Sequence, residues 1–320
     1  MDIFAESDGN APFFLVLLSC FEGAAFLPAL LDSIIGQDYP NFGILIRDDD
    51  SGDGTPALIK EYAECHKGRI SVVSSICKRR LGPRESFRQL LEEGLRVGDD
   101  IDFFFFADQD DVWLPHKLAS FARRIQEDAE AERPALLHSD LRVVGRELEL
   151  IHQSYLRYQG LDPRANRPGN LALVNTVTGC ATAINRALAK LCVEMPAEAV
   201  MHDWWAALLA SVYGRVLYID EALVLYRQHG ANTLGARRYE RGSVAERIKR
   251  QWQNERREYF EAVARQSRAL LRVTPIGHLP WIDRWQLRLV AGLDRKGLGA
   301  RLWRLSAHRA LARMCRWRGA

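Results

Sequence analysis

The alternation of short apolar runs with amphipathic segments constrains the fold of this chain most strongly. Apolar runs at residues 13–19, 44–46, 70–73 and 101–106 predict buried strands. Each of the first three is followed by a segment whose apolar residues recur at three- and four-residue spacing, which predicts a helix. Strands that alternate with helices of about ten residues predict βαβ units and a parallel sheet. The first hundred residues therefore resemble half of a nucleotide-binding α/β domain.

The run at 101–106 ends in three carboxylates within four residues, Asp108, Asp110 and Asp111. Carboxylates this close repel one another, and an Mg²⁺ or Mn²⁺ ion with oxygen ligands would offset that repulsion. Side chains alternate along a strand, so Asp108 and Asp110 are expected on one side, within reach of one cation. The alternative is a polar turn in which Asp110 or Asp111 caps the next helix.

A second acidic cluster, Asp48-Asp49-Asp50-Ser51, follows the predicted strand at 44–46. Ligands of open α/β sheets bind at the carboxyl ends of strands. A carboxylate at this edge could accept a hydrogen bond from a ring N–H of a nucleobase. The alternative is a polar turn with a helix cap, which the nearby glycines would favour.

Two further clusters carry acid–base or phosphate-binding chemistry. Asp203, in the segment His-Asp-Trp-Trp at 202–205, is a candidate general base, because flanking aromatic side chains exclude water and raise a carboxylate pKa. The alternative is that it caps a helix whose tryptophans pack in the core. Arg227 and His229 follow another predicted strand and are candidates for a phosphate or metal site, although a lone histidine is more often structural.

Charge and cysteine content restrict the cellular setting. Residues 241–320 carry 19 lysines and arginines against 6 aspartates and glutamates, a net charge of +13, whereas the total of +3 leaves residues 1–240 at −10. Such a basic region favours an anionic partner, a membrane surface or a nucleic acid. The six cysteines form no C-x-x-C pair, which predicts a reducing cytoplasm. The acidic start and short apolar runs predict neither a signal peptide nor a membrane span.

Taken in order, these motifs resemble the family 2 glycosyltransferases with the GT-A fold, and within them the rhamnosyltransferase-type members of bacterial polysaccharide assembly. The matching segments are RDDDSGDGT at 47–55, DQDDVW at 108–113, HDWW at 202–205 and YRQH at 226–229. The resemblance covers about residues 12–235. It implies an α/β GT-A catalytic domain over residues 1–240, with a mostly parallel sheet flanked by helices, followed by a basic helical region over 241–320.

The resemblance also implies a role for each candidate residue. The nucleotide would be bound by Ser19, Glu22, Asp48, Asp49 and Asp108, with Asp49 on the base. The metal, Mg²⁺ or Mn²⁺, would be bound by Asp108, Asp110 and His229. Gly179 and Cys180 would lie near the donor sugar, Arg227 and His229 near the diphosphate, and Asp203 would be the catalytic base.

This chain departs from the family pattern at two places. Asp50 replaces the usual glycine of the turn. Because aspartate tolerates a positive φ better than most residues, we expect the turn to persist. Cys20 and Phe21 replace the usual Tyr-Asn, so stacking on the base would differ.

The activity implied is inverting transfer of L-rhamnose from dTDP-rhamnose to a saccharide, lipid-linked acceptor in O-antigen-type polysaccharide biosynthesis. The alternatives are a UDP-hexose donor, or a non-catalytic nucleotide-binding membrane scaffold. The expected location is the cytoplasm, with peripheral contact on the inner face of the cytoplasmic membrane.

The basic sequence over 299–320 places apolar residues on one helix face, namely Trp303, Ala307, Ala310, Met314 and Trp317. That pattern favours an interfacial membrane helix. The alternative is a helix packed on the catalytic domain. No nucleic-acid-binding motif accompanies the charge, so nucleic acid is not an expected partner.

Overall fold

A computed structural model describes residues 11–73, 80–128, 132–230 and 255–294. These residues form one sheet whose strands are β1 Phe13–Cys20, β2 Phe42–Asp48, β3 Ile70–Val72, β4 Ile101–Asp108, β5 Val112–Trp113, β6 Ala135–Val144, β7 Leu150–His152, β8 Thr182–Asn185 and β9 Arg215–Arg227. The helices are α1 Leu27–Ile35, α2 Thr55–Cys65, α3 Pro83–Val97, α4 Lys117–Gln126, α5 Tyr155–Gln159, α6 Pro168–Leu173, α7 Arg186–Cys192, α8 His202–Tyr213, α9 Glu255–Val273 and α10 Trp281–Ala291. A 3₁₀ turn spans Gly179–Ala181.

The sheet has the order β3-β2-β1-β4-β8-β6-β9-β5, and β7 pairs with β6. The first four strands are parallel, as the βαβ pattern predicts. Beyond β4 the sheet is mixed, because β8 runs antiparallel to both of its neighbours and β5 runs antiparallel to β9. All strand pairs are thus parallel over the half that the alternating pattern covers, whereas the other half combines the parallel pair β6–β9 with antiparallel pairs.

Apolar layers cover both faces of the sheet. Successive residues of β1 and β4 point to opposite faces, so that Leu15 and Phe104 pack against α3, α7 and α8, whereas Val16 and Phe105 pack against α1 and α4. Strands buried on both faces are continuously apolar rather than alternating. This burial explains the long apolar runs in the sequence, of which the run at 101–106 is broken only by Asp102.

The described part of the predicted basic region packs on the domain that precedes it. Leu270 of α9 and Leu287 of α10 belong to the same apolar cluster as α6 and α8. The buried Gln266 side chain accepts a hydrogen bond from the backbone N–H of Val200, at 2.8 Å. The predicted helix with Trp303 and Trp317 lies outside the described residues. Within the described ranges, no helix combines the length and apolar character that crossing a bilayer requires.

Candidate active site

The carboxyl ends of β1, β2 and β4 bring three predicted site residues together. In the register of these parallel strands Ser19 lies opposite Asp108, and its neighbour Cys20 lies opposite Asp48. Ser19 and Asp48 are therefore at the same edge of the sheet as the acidic cluster of β4. This is the edge at which an open α/β sheet binds its ligands.

The turn that follows β2 interlocks with the segment that follows β1. Asp48 accepts hydrogen bonds from the hydroxyl and the backbone N–H of Ser51, at 2.6 and 3.1 Å. The Glu22 carboxylate accepts from the N–H of Gly52 at 2.7 Å. Asp50 has a φ of +68°, which confirms that aspartate occupies the left-handed position of this turn. The sequence departure at Asp50 is thus accommodated by the backbone.

Asp49 lies among donors of the protein itself. Its side chain is 3% exposed and accepts hydrogen bonds from the N–H groups of Leu81 and Gly82 and from the Arg47 guanidinium, at 2.9, 2.7 and 2.5 Å. Burial acts to raise the pKa of Asp49, but the bonds from Leu81 and Arg47 outweigh it, and the pKa lies below its usual range. Asp49 thus joins β2 to the start of α3, whereas its neighbour Asp48 is partly exposed.

The carboxylates that follow β4 contact the end of β9. The Asp110 Oδ2 atom lies 2.8 Å from Nε2 of His229. Asp111 is fully buried and accepts from the backbone N–H of Arg227 at 3.0 Å. Because the short strand β5 intervenes and α4 begins only at Lys117, the interpretation of Asp110 or Asp111 as a helix cap is wrong.

Burial and mutual repulsion both raise the pKa values of this cluster. Burial, followed by the charges of Asp110 and Asp203, raises the pKa of Asp108 to about 7. Burial and the charges of Asp110 and Asp108 likewise raise the pKa of Asp111. A bound cation would lower these pKa values by compensating the charge.

The donor atoms at this edge fit a hard divalent cation. Within the described ranges, the group able to surround an ion consists of Asp108, Asp111 and Cys180, with one donor atom of each within 4.8 Å of the others. Burial raises the pKa of the Cys180 thiol, which keeps it protonated. Mg²⁺ and Mn²⁺ prefer oxygen ligands. The carboxylates therefore suit the predicted cation, and the thiol does not. Of the predicted ligands Asp108, Asp110 and His229, this group contains Asp108, with Asp111 in place of Asp110.

Asp203 lies in the first turn of α8, where three donors orient its carboxylate. Oδ2 accepts from the Asn175 side chain at 3.2 Å and from the N–H of Gly179 at 3.1 Å, and Oδ1 accepts from the N–H of Trp204 at 2.7 Å. Burial raises the pKa of Asp203 to about 6 against the opposing effect of these bonds. Met201 precedes the helix, so the helix-cap interpretation of Asp203 is wrong.

A buried lysine forms a hydrogen bond with the 3₁₀ turn that carries Gly179 and Cys180. Lys117 is fully buried, its ammonium group donates to the carbonyl of Cys180 at 2.7 Å, and it lies 3.2 Å from the centre of the Trp113 ring. A side chain at position 179 would come within 3.1 Å of Nε2 of His202. Lys117 and the absence of a side chain at Gly179 therefore set the position of the N–H that contacts Asp203.

Sequence reasoning did not identify Asn175 and Lys117 as site residues. Asn175 lies in an irregular segment between α6 and the 3₁₀ turn, where no periodicity draws attention to it. Lys117 begins an amphipathic helix, a position where lysine is usually solvated. The proximity of Lys117 to an acidic motif was the one available signal.

Arg227 is buried and directed at backbone carbonyls. Its Nε donates to the carbonyl of Asp110 at 2.7 Å, and its Nη1 donates to that of Arg146. The guanidinium carbon lies 4.8 Å from the centre of the Phe26 ring, on which the His229 ring also stacks at 4.7 Å. The structure thus brings Arg227 and His229 to the acidic cluster, with Arg227 bracing the backbone there.

Comparison with solved structures confirms the GT-A fold. The chain is similar to a crystal structure of residues 1–349 of Staphylococcus aureus TarS, with a TM-score of 0.57 and 16% identity over 92% of this chain and 78% of that one. It is also similar to the mannosyltransferase PcManGT of Pyrobaculum calidifontis, solved with GDP-Man and Mn²⁺, with a TM-score of 0.54 and 17% identity over 99% and 90% of the two chains.

Curated relatives and a family model place the chain in a family. EpsE of Bacillus subtilis, named as a glycosyltransferase, is 26% identical over 51% of this chain, and the dTDP-rhamnosyl transferase RfbG of Shigella flexneri is 27% identical over 32%. These matches span about half of EpsE (52%) and a third of RfbG (34%). The model described as glycosyl transferase family 2 matches residues 15–190, more than half of the chain. The chain therefore belongs to glycosyl transferase family 2.

Proposed function

We propose that this protein is an inverting glycosyltransferase that moves a sugar from a nucleotide-sugar donor to a hydroxyl group of a saccharide acceptor. The observation that carries the proposal is the Asp203 carboxylate, which three donors orient and whose pKa is raised to about 6. A general base works best with a pKa near the operating pH. Asp203 is also close enough to the β4 carboxylates for its charge to raise the pKa of Asp108.

In the proposed reaction Asp203 takes the proton of the acceptor hydroxyl while that oxygen attacks the anomeric carbon of the donor. The bond between the anomeric carbon and the diphosphate oxygen breaks, and the nucleoside diphosphate leaves with the electron pair. A single displacement inverts the anomeric centre, so one base suffices and no covalent intermediate forms. Asn175 and the N–H of Gly179 keep Oδ2 of Asp203 in place.

The diphosphate end of the donor would lie at the acidic cluster. Asp108 and Asp110, with His229 beside Asp110, would hold Mg²⁺ or Mn²⁺, which when bound neutralises the leaving diphosphate as a Lewis acid. The Arg227 side chain fixes the backbone at Asp110 through its hydrogen bond to the Asp110 carbonyl. We infer that Arg227 positions His229 and the cluster.

The nucleotide end would lie along β1 and β2. Ser19, Glu22 and Asp48 are at that sheet edge, and Asp48 is the partly exposed carboxylate of its pair. Besides its predicted contact with the base, Asp49 would hold the segment before α3 in place. Its carboxylate accepts hydrogen bonds from the N–H groups of Leu81 and Gly82 in that segment. Gly179 and Cys180 would lie beside the sugar.

The donor we favour is dTDP-L-rhamnose, in line with the name of RfbG, and the acceptor a lipid-linked saccharide of O-antigen-type polysaccharide biosynthesis. The second candidate is a UDP-hexose, since TarS has been solved with UDP-GlcNAc. Because a lipid-linked acceptor lies in the membrane, the protein would work at the cytoplasmic face of the membrane. Peripheral contact would be made through residues 299–320.

A donor panel tests this proposal. Purified protein with Mn²⁺ is incubated with dTDP-L-rhamnose, UDP-glucose, UDP-GlcNAc and GDP-mannose, and release of nucleoside diphosphate is measured. We expect the fastest release from dTDP-L-rhamnose. Faster release from a UDP-hexose would favour the second donor. Nucleotide binding without release from any donor would instead indicate a non-catalytic scaffold.

The raised pKa of Asp203 predicts the acid side of the pH profile. A base must be deprotonated to act, so with saturating cation we expect the transfer rate to fall as pH drops through about 6. Asn175→Ala removes a hydrogen bond that favours the charged carboxylate. Its profile should therefore be displaced to higher pH.

The control for this displacement is Asn166→Ala, since the Asn166 side chain donates to the carbonyl of Val216, away from Asp203. Transfer rates of the three proteins are measured from about pH 5 to about pH 9, because the pKa of Asp203, raised to about 6, lies within that range. Identical acid limbs for wild type and Asn175→Ala would contradict the assignment.

A further inference from the structure

Four large apolar side chains are exposed within residues 273–285, where the chain passes from α9 to α10. The exposed fractions are 89% for Ile276, 77% for Trp281, 51% for Trp285 and 48% for Val273. Trp281 and Trp285 are one helical turn apart and so lie on the same face of α10. We call these four residues the tryptophan patch. An apolar cluster of this kind on a protein surface marks a contact with another molecule or a membrane.

Buried neighbours hold the tryptophan patch outward. Within the loop between the helices, Thr274 and Leu279 are 3% and 7% exposed, and Asp283 in the first turn of α10 is 4% exposed. Asp283 forms an ion pair with Arg167 at 3.1 Å, and the Tyr213 hydroxyl donates to the carbonyl of Val273 at 2.8 Å. Because these anchors fix the backbone, the tryptophans cannot turn into the core without breaking them.

The charge around the tryptophan patch is positive. Arg288 is exposed and lies seven residues after Trp281, hence on the same side of α10, and Arg284 is partly exposed. Tryptophan with neighbouring cationic side chains matches the interface of a bilayer, where the rings lie at the headgroup level and the cations meet anionic lipids.

We propose that the tryptophan patch docks this protein on an anionic phospholipid bilayer. The patch adjoins Tyr213 and the start of β9, whereas Arg227, at the other end of that strand, lies at the candidate active site. Docking would therefore leave the donor site open. The inference concerns a surface different from the sequence at 299–320, and it does not depend on the proposed transferase activity.

The test is co-sedimentation of the full chain with vesicles of phosphatidylglycerol and phosphatidylcholine, and with vesicles of phosphatidylcholine alone. We expect the wild-type chain to bind the anionic vesicles and salt to weaken this binding. Trp281→Ala/Trp285→Ala should bind at least about ten-fold more weakly, because two large rings are no longer transferred from water into the bilayer. The matched control is Leu150→Ala/Ile151→Ala, which removes two side chains that are 51% and 48% exposed on β7. It should bind like wild type.

Circular dichroism and thermal unfolding check that each variant is folded. Ile276→Ser, at the most exposed position, replaces the double variant if that one fails to fold. The proposal is overturned if the patch variants bind anionic vesicles as tightly as wild type, or if wild type binds neutral vesicles equally well. It is also overturned if the patch variants convert a dimer to a monomer in analytical ultracentrifugation without loss of vesicle binding. That outcome would assign the surface to a second copy of the chain.

Discussion

Asp203→Asn should reduce glycosyl transfer by about 10²–10⁴-fold, the usual contribution of a general base. The substitution keeps the shape of the side chain, and its one oxygen can still accept from the N–H of either Gly179 or Trp204, which bond to different oxygens of Asp203. It removes the capacity to take a proton. Nucleotide binding should therefore stay close to wild type, and the loss should appear in kcat rather than in the affinity for the donor.

The comparison requires an aspartate that carries no proposed role, and Asp220→Asn on the exposed part of β9 provides it. Initial rates and nucleotide affinities are measured for wild type and both variants at the same pH. Near-wild-type transfer by Asp203→Asn would show that another group accepts the proton. Equal losses in both variants would indicate a general loss of folded protein.

Removal of the divalent cation should lower transfer by at least about 100-fold, because metal ions contribute several kcal/mol to the stabilisation of charge in such reactions. EDTA treatment followed by return of Mn²⁺ or Mg²⁺ should abolish and then restore the rate. Asp110→Ala should weaken binding of the nucleoside diphosphate in the presence of Mn²⁺. Without the cation the difference from wild type should shrink, since the contact is made through the metal.

Asp38→Ala is the control for Asp110→Ala, because Asp38 is exposed and only its backbone N–H has a described hydrogen bond. Nucleoside diphosphate affinity is measured by calorimetry with and without Mn²⁺ for the three proteins. A rate unaffected by EDTA would refute the metal assignment. It would leave the assignment of Asp203 untouched, since that residue is tested without changing the cation.

Much of the fold could be predicted because its signals are local. The apolar runs at 13–19 and 101–106 correspond to β1 and β4. Their apolar character, broken only by Asp102, follows from burial on both faces of the sheet. The predicted persistence of the turn at Asp50 also depended only on that residue's tolerance of a positive φ, and the backbone confirms it. These two predictions depended only on residues within one strand or one turn.

Predictions failed or were incomplete where distant segments meet. The helix-cap alternative for Asp110 and Asp111 looked reasonable because the sequence does not reveal that β5 intervenes and pairs with β9, more than a hundred residues later. Asn175 and Lys117 acquire their roles only through contacts with Asp203 and with the carbonyl of Cys180. No periodicity within their own segments records these contacts.

The sequence by itself determined the parallel half of the sheet, the acidic residues at its strand ends and the family resemblance, because hydrophobic periodicity and motif spacing are properties of short segments. Only the tertiary structure decided which carboxylates are buried, as Asp49 is, and which are partly exposed, as Asp48 is. It also decided that Asp203 has a raised pKa. Burial and hydrogen-bond partners are set by residues brought together from across the chain, and these determine the electrostatics of the site.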